Sequence, residues 1–234
     1  MIDLGSTEFL LAVPSVPELQ LKRLSTSLFD SWESFVDQSL SLPDYSLFLQ
    51  VEEGSVKGMA QIGAVLGAVY LGIGNYGDFI SGVKTITEQV GATSDYLTEQ
   101  AGRVFSCPDP RASSRKRGGS LAALQRLFAK VQKGEMTADE AVIRAEDLFG
   151  SESNTAPGFM RDLEESLRNC PRHHEQQSFP FLGQSDEQVQ QFIEPTRQPR
   201  LPRSSPDLGP PLQLRVEVWR ESKKKRKHTR VIKL

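Results

Sequence analysis

The chain has 234 residues, enough for one large domain or two small ones, with 38 % hydrophobic and 25 % charged residues. Average chains are about 45–50 % apolar, so part of this one is expected outside any packed core, and its two cysteines, Cys107 and Cys170, exclude a multi-bridge disulfide framework. The net charge is −2 but unevenly spread: residues 212–234 hold nine Lys/Arg against two Glu, a net of +7, which leaves −9 for residues 1–211.

The opening MIDLGSTEF has no basic region followed by an apolar core. We therefore expect no secretory signal and a cytoplasmic protein, where thiols stay reduced. Residues 7–13, TEFLLAV, read as a short buried strand that Pro14 and Pro17 end. A helix is expected from Glu18 to Ser41, because Leu21, Leu24, Leu28, Trp32, Phe35 and Val36 recur at three- and four-residue steps. Asp30, Glu33 and Asp37 lie largely off that stripe. Residues 45–51, YSLFLQV, alternate as a strand, Glu52 to Ser55 turn the chain, and Val56–Ile62 reads as the return strand.

Glycines punctuate the apolar run that follows. We expect helices here, one from Asp78 to Val90 ended by Gly91 and a second from Ser94 to Phe105. Residues 106–119 have linker composition. Next comes a helix from Ser120 carrying Leu121, Leu124, Leu127, Phe128 and Val131. Lys133–Met136 forms a turn, and Thr137-Ala-Asp-Glu140 is a capping box that opens a second helix. A third helix is expected from Phe159 to Asn169. Residues 171–211 are rich in Pro, Gln, Arg and Ser, and apart from a short helix at 186–193 they should be extended or disordered. Finally Leu212, Leu214, Val216 and Val218 alternate ahead of a basic run, as a hairpin or as one strand with a basic tail. It either returns to the N-terminal sheet or stays exposed.

Residues 121–149 resemble the short helical hairpins of many bacterial proteins: a leucine-bearing helix, a Lys-x-Gly turn, Thr-x-x-Glu and a second helix. That resemblance implies a docking or oligomerisation element.

Several local patterns bear on chemistry. Gly72-Ile-Gly74-Asn-Tyr-Gly77 matches the G-x-G-x-x-G of dinucleotide folds, but no second parallel strand ending in an acid follows, so close packing of glycine-bearing backbone is the preferred reading. Residues 58–82 are long enough to span a bilayer, and Gly63-x-x-x-Gly67 is a membrane packing motif. Gln61, Asn75 and Asp78 interrupt the run, so a membrane-acting protein is the alternative function. Cys107, Cys170, His173 and His174 lack the compact pairing of a zinc site. Catalysis lacks a nucleophile in a recognisable setting, so we expect no enzyme, no cofactor and no metal.

The basic C-terminus remains. Lys and Arg neutralise phosphates and aromatic rings stack on bases, so this element is expected to hold an acidic partner, nucleic acid or protein. The candidate residues are Arg215, Trp219, Arg220, Lys223, Lys224, Lys225, Arg226, Lys227 and Arg230. The bland alternative is a solvated turn that protects an edge strand. The expected architecture is α+β. A domain at 1–105, with a small antiparallel sheet packed by amphipathic helices, precedes a linker at 106–119 and a helical hairpin module at 120–169. A largely disordered linker at 170–211 then leads to a basic β-hairpin at 212–234. The expected function is that of a non-enzymatic accessory subunit, with a protein partner or a second copy, and with nucleic acid as a candidate ligand.

Overall fold

In the computed structural model, residues 1–13, 15–53, 56–107, 113–171 and 214–234 are described. The elements run β1 (Ile2–Leu10), α1 (Glu18–Ser39), β2 (Ser46–Glu52), β3 (Lys57–Ala64), α2 (Leu66–Ile73), α3 (Phe79–Val104), β4 (Ser113–Arg117), α4 (Ser120–Gln132), α5 (Ala138–Phe149), α6 (Pro157–Arg168), β5 (Leu214–Arg220) and β6 (His228–Lys233). The class is α+β, as the residue patterns predict, with one open antiparallel sheet in the order β4-β1-β3-β2-β5-β6.

Each central strand alternates because helices cover one sheet face and no described helix covers the other. Leu47, Leu49 and Val51 of β2 are buried between less buried neighbours, as are Leu214, Val216 and Val218 of β5. In β1 an extra residue between Asp3 and Gly5 forms a bulge, which keeps Ile2 on the same inner face as Thr7 and Phe9. Helices α1 and α3 pack on each other and on this inner face, α1 against β2 and β5 and α3 against β1.

The C-terminal hairpin completes the sheet. β5 pairs with β2, Val216 opposite Val51 and Val218 opposite Leu49, so the alternating apolar residues are core. All described residues belong to one compact unit. The helices expected as a separate hairpin module share its core. Phe159 of α6 meets Phe79 of α3 at 5.0 Å and Phe149 of α5 at 5.2 Å between ring centroids, and Tyr70 of α2 at 6.2 Å. The apolar face of the α4–α5 pair is therefore spent inside the molecule, with Leu121, Leu124, Phe128, Ala145 and Phe149 all buried.

Three further expectations change. The segment read as a linker contributes β4, which pairs with β1 from Ser6 opposite Arg117 to Leu10 opposite Ser113. Gly91 does not end a helix. α3 continues through it because Val90, Thr93, Ser94, Leu97 and Ala101 form one buried stripe across the glycine, and packing outweighs helix propensity. The run at 58–82 divides into β3, α2, a 3-10 turn and the start of α3, and no helix among the described residues is long and apolar enough to cross a membrane. The Thr137 capping box forms as expected: the Glu140 amide donates to Thr137 Oγ1 at 3.2 Å, and the Thr137 amide donates to Glu140 Oε2 at 3.0 Å. Gly134 turns the preceding corner at φ +74°, where a side chain would be strained. The segment 172–211, with its expected short helix, and Leu212 lie outside the described residues.

Candidate functional site

The glycine motif at 72–77 begins in the last two residues of α2 and continues into a 3-10 turn, so it lacks the strand-to-helix setting of a phosphate loop. A Cβ at Gly72 would sit 2.4 Å from Leu42 Cδ2, the close packing expected of the motif, whereas Gly74 and Gly77 have no such neighbour within 4 Å among the described residues and Gly77 turns the chain at φ +83°. Glu52, Glu53, Tyr76 and Asp78 are each spent in a different contact. Glu52 pairs with Arg215, Glu53 accepts from Ser15, the Tyr76 hydroxyl accepts from Gln89, and Asp78 caps α3 through the Ser81 amide. No group of three or more His, Cys, Asp or Glu among the described residues could hold a metal ion. His173 and His174 lie outside those residues, and neither Cys107 nor Cys170 is in a disulfide.

The basic hairpin is a two-sided object. Its inner side meets the acidic row of α1. Asp30, Glu33 and Asp37 recur at three- and four-residue steps, so they form one stripe beside the apolar face of the helix. Arg220 is opposite Leu47 on the inner face and only 6 % exposed. It donates from Nη1 to Glu33 at 2.7 Å and from Nη2 to Asp37 at 3.2 Å, with its guanidinium 5.4 Å above the ring of Tyr45. The Tyr45 hydroxyl donates to Asp37 as well. Lys227 pairs with Asp30, and Lys223 reaches Asp37 at 3.9 Å. Asp44 ties down the turn itself, accepting from the Lys223 amide at 2.8 Å and from Ser222 Oγ at 2.8 Å.

The electrostatics follow from this arrangement. Burial raises the Glu33 pKa, and the adjacent Arg220 only partly offsets that. Asp37 is also penalised by burial, but hydrogen bonds from Tyr45 and Arg220 outweigh it and hold the carboxyl below its ordinary value. Asp44 is lowered in the same way, its burial overcome by the Lys223 amide and Ser222. Tyr45 is pushed well above the usual phenol value by burial and by the hydrogen bond to Asp37.

Of the nine candidate residues, Arg220, Lys223 and Lys227 thus face an acidic surface that belongs to the chain itself. For Arg220 this is a correction: a guanidinium buried between two carboxylates is a structural anchor, not an exposed contact. Arg215 pairs with Glu52 at 2.7 Å and Lys225 with Glu221 at 2.6 Å. Lys224, Arg226 and Arg230 are exposed, and none has an ion-pair partner among the described residues. Trp219 lies on the sheet face that no described helix covers, stacked on His228 at 5.4 Å and 26°. Residue patterns identify both the acidic row and the basic turn. That the two meet is a long-range pairing with no local signal.

Sequence reading missed the uncovered face as a whole. Its registers align three rows across the strands, one of them Arg115, Glu8, Met59, Gln50, Glu217, Arg230. Between that row and the next, a depression of about 400 Å³ is lined by Glu8, Leu10, Glu52, Lys57, Met59 and Arg115 among others. Arg117 reaches Glu8 at 3.2 Å across this surface.

Fold and site together define an α+β protein with a sheet whose outer face no described helix covers and a C-terminal hairpin anchored on its inner side. Comparison with protein-family models, curated proteins and solved structures finds no match for this chain.

Proposed function

We propose that this protein is a non-enzymatic binding subunit that holds nucleic acid against its C-terminal hairpin. One observation carries the reading. The acidic row of α1 takes up Arg220, Lys223 and Lys227, and it leaves Lys224, Arg226 and Arg230 exposed with no ion-pair partner among the described residues. Cations held on a rigid hairpin lose little entropy on meeting phosphates, and each phosphate neutralised releases counterions. The anchoring matters for this role: Asp44, Asp37 and Asp30 fix the turn, so the outward cations are presented at set positions rather than on a mobile tail.

The test is anisotropy of a labelled oligonucleotide, single-stranded and duplex, with the full chain from about 50 mM to about 200 mM salt. Binding that weakens steeply with salt supports the reading. No binding at the low end refutes it and leaves an acidic protein as the hairpin's partner.

A further inference from the structure

The uncovered sheet face carries one row unlike the others. Arg117, Ser6, Gln61, Phe48, Trp219 and His228 stand in register across all six strands. The three aromatic residues are on consecutive strands, β2, β5 and β6, which lie about 4.8 Å apart. Trp219 and His228 already stack on each other at an interplanar angle of 26°. No described helix covers this aromatic surface, in which Phe48 and Trp219 are half-buried and His228 is exposed. The charge around it is cationic: Lys57, Arg115, Arg117, Arg215 and Arg230 share the face with Glu8, Glu52 and Glu217. Two of those carboxylates are already taken by Arg117 and Arg215.

We infer that this face is a platform for single-stranded nucleic acid, with unpaired bases stacked on Phe48, Trp219 and His228 and the backbone following the flanking arginines. This rests on the proposed function and specifies the strand it takes. Stacking on these rings needs a base with a free face, which a duplex does not offer along its length, and it is tolerant of sequence because every base has such a face. Arg226 and Arg230 lie at the His228 end of the aromatic run, so phosphates meet cations there, while Arg117, paired with Glu8, stands at the far end of the row with Ser6 and Gln61 between it and Phe48.

The test compares three probes of equal length on the full chain: oligo(dT), the matching duplex, and an abasic strand with the same phosphates and no bases. The intrinsic fluorescence is read alongside. Trp32, the other tryptophan, is buried in the core, so quenching by a ligand reports Trp219. Oligo(dT) should bind about tenfold or more tighter than the abasic strand, because each stacked base contributes strongly. It should also quench the fluorescence, and Trp219→Leu should remove both effects. If the abasic strand or the duplex binds as well as oligo(dT) and fluorescence does not change, the platform is refuted, while the charge-based reading of the hairpin stands. If none of the three binds at low salt, both are refuted. The probe comparison uses the unaltered protein, so it decides the matter even if Trp219→Leu fails to fold.

Discussion

Arg220, at the end of β5, donates to Glu33 of α1 at 2.7 Å, and this pair decides which side of the C-terminal hairpin is left for a partner. A guanidinium in that position cannot be removed without stranding two carboxylates that are themselves partly buried. Arg220→Ala should cost about 2–4 kcal/mol, somewhat under the value for a fully buried pair because Glu33 and Asp37 keep some solvent. Glu33 and Asp37 should differ. Burial works against the Glu33 charge, whereas Asp37 is held ionised by Tyr45 and Arg220. Glu33→Gln should therefore lower the urea midpoint less than Asp37→Asn. Equal losses would contradict the assignment of Asp37 as the main anchor.

The acid limb of stability follows from the same carboxylates. Asp37 and Asp44 sit below their ordinary value of 3.8 in the fold. Between the folded and ordinary values the unfolded chain binds more protons, so stability rises with pH there. Their contribution is fully present above 3.8 and is lost as pH falls through the lowered values. Glu33 works in the opposite sense: its pKa is raised, so protonation begins above 4.5 on acidification and relieves a burial cost. Urea midpoints should thus hold or rise slightly as pH drops towards 4.5, then fall below 3.8. In Asp44→Asn the final fall should be smaller; an unchanged acid limb would exclude Asp44 as a contributor.

Gly91 lies inside α3 with no described atom beyond its own stretch of helix within 4 Å of where a Cβ would stand and without a positive φ. Gly91→Ala should stabilise by about 0.5–1 kcal/mol, the helix-propensity difference. Gly72→Ala should do the reverse, because its Cβ would meet Leu42 at 2.4 Å and the Ser41 carbonyl at 3.1 Å. Thermal melts of the two variants should move in opposite directions; a destabilised Gly91→Ala would mean that α3 is not continuous there.

Much of the local structure was legible in the residues. The α1 stripe, the β2 alternation and the Thr137 capping box are each fixed by neighbours within a few positions, and they stand where the patterns put them. What was hidden depends on pairing at a distance. β4 is SSRKR, with no apolar residue to announce a strand, and it forms because β1 offers it a backbone edge. Gly91 looked like a stop because propensity is local while the buried stripe that carries α3 through it is tertiary. The candidate site was half visible for the same reason. The basic run was plain, but its division into an anchored and a free side depends on α1 lying beneath β5.

Phe159 joins α6 to α2, α3 and α5 through ring contacts. Phe159→Ala should cost about 3–5 kcal/mol and lower a single unfolding transition followed by tryptophan fluorescence and by circular dichroism. Two separated transitions would show instead that the helices at 120–168 fold apart from the sheet.

In the proposed function the outward cations, and not those facing α1, meet the nucleic acid. The most direct measurement is the slope of log Kd against log salt concentration for oligo(dT), with the full chain and with the combined Lys224→Gln, Arg226→Gln, Arg230→Gln variant. All three positions are exposed and without ion pairs among the described residues, so the variant should keep its fold. The expected result is weaker binding and a slope smaller in magnitude by about 2, close to 0.7 for each phosphate left without its cation. A variant that binds with the wild-type slope would contradict the assignment.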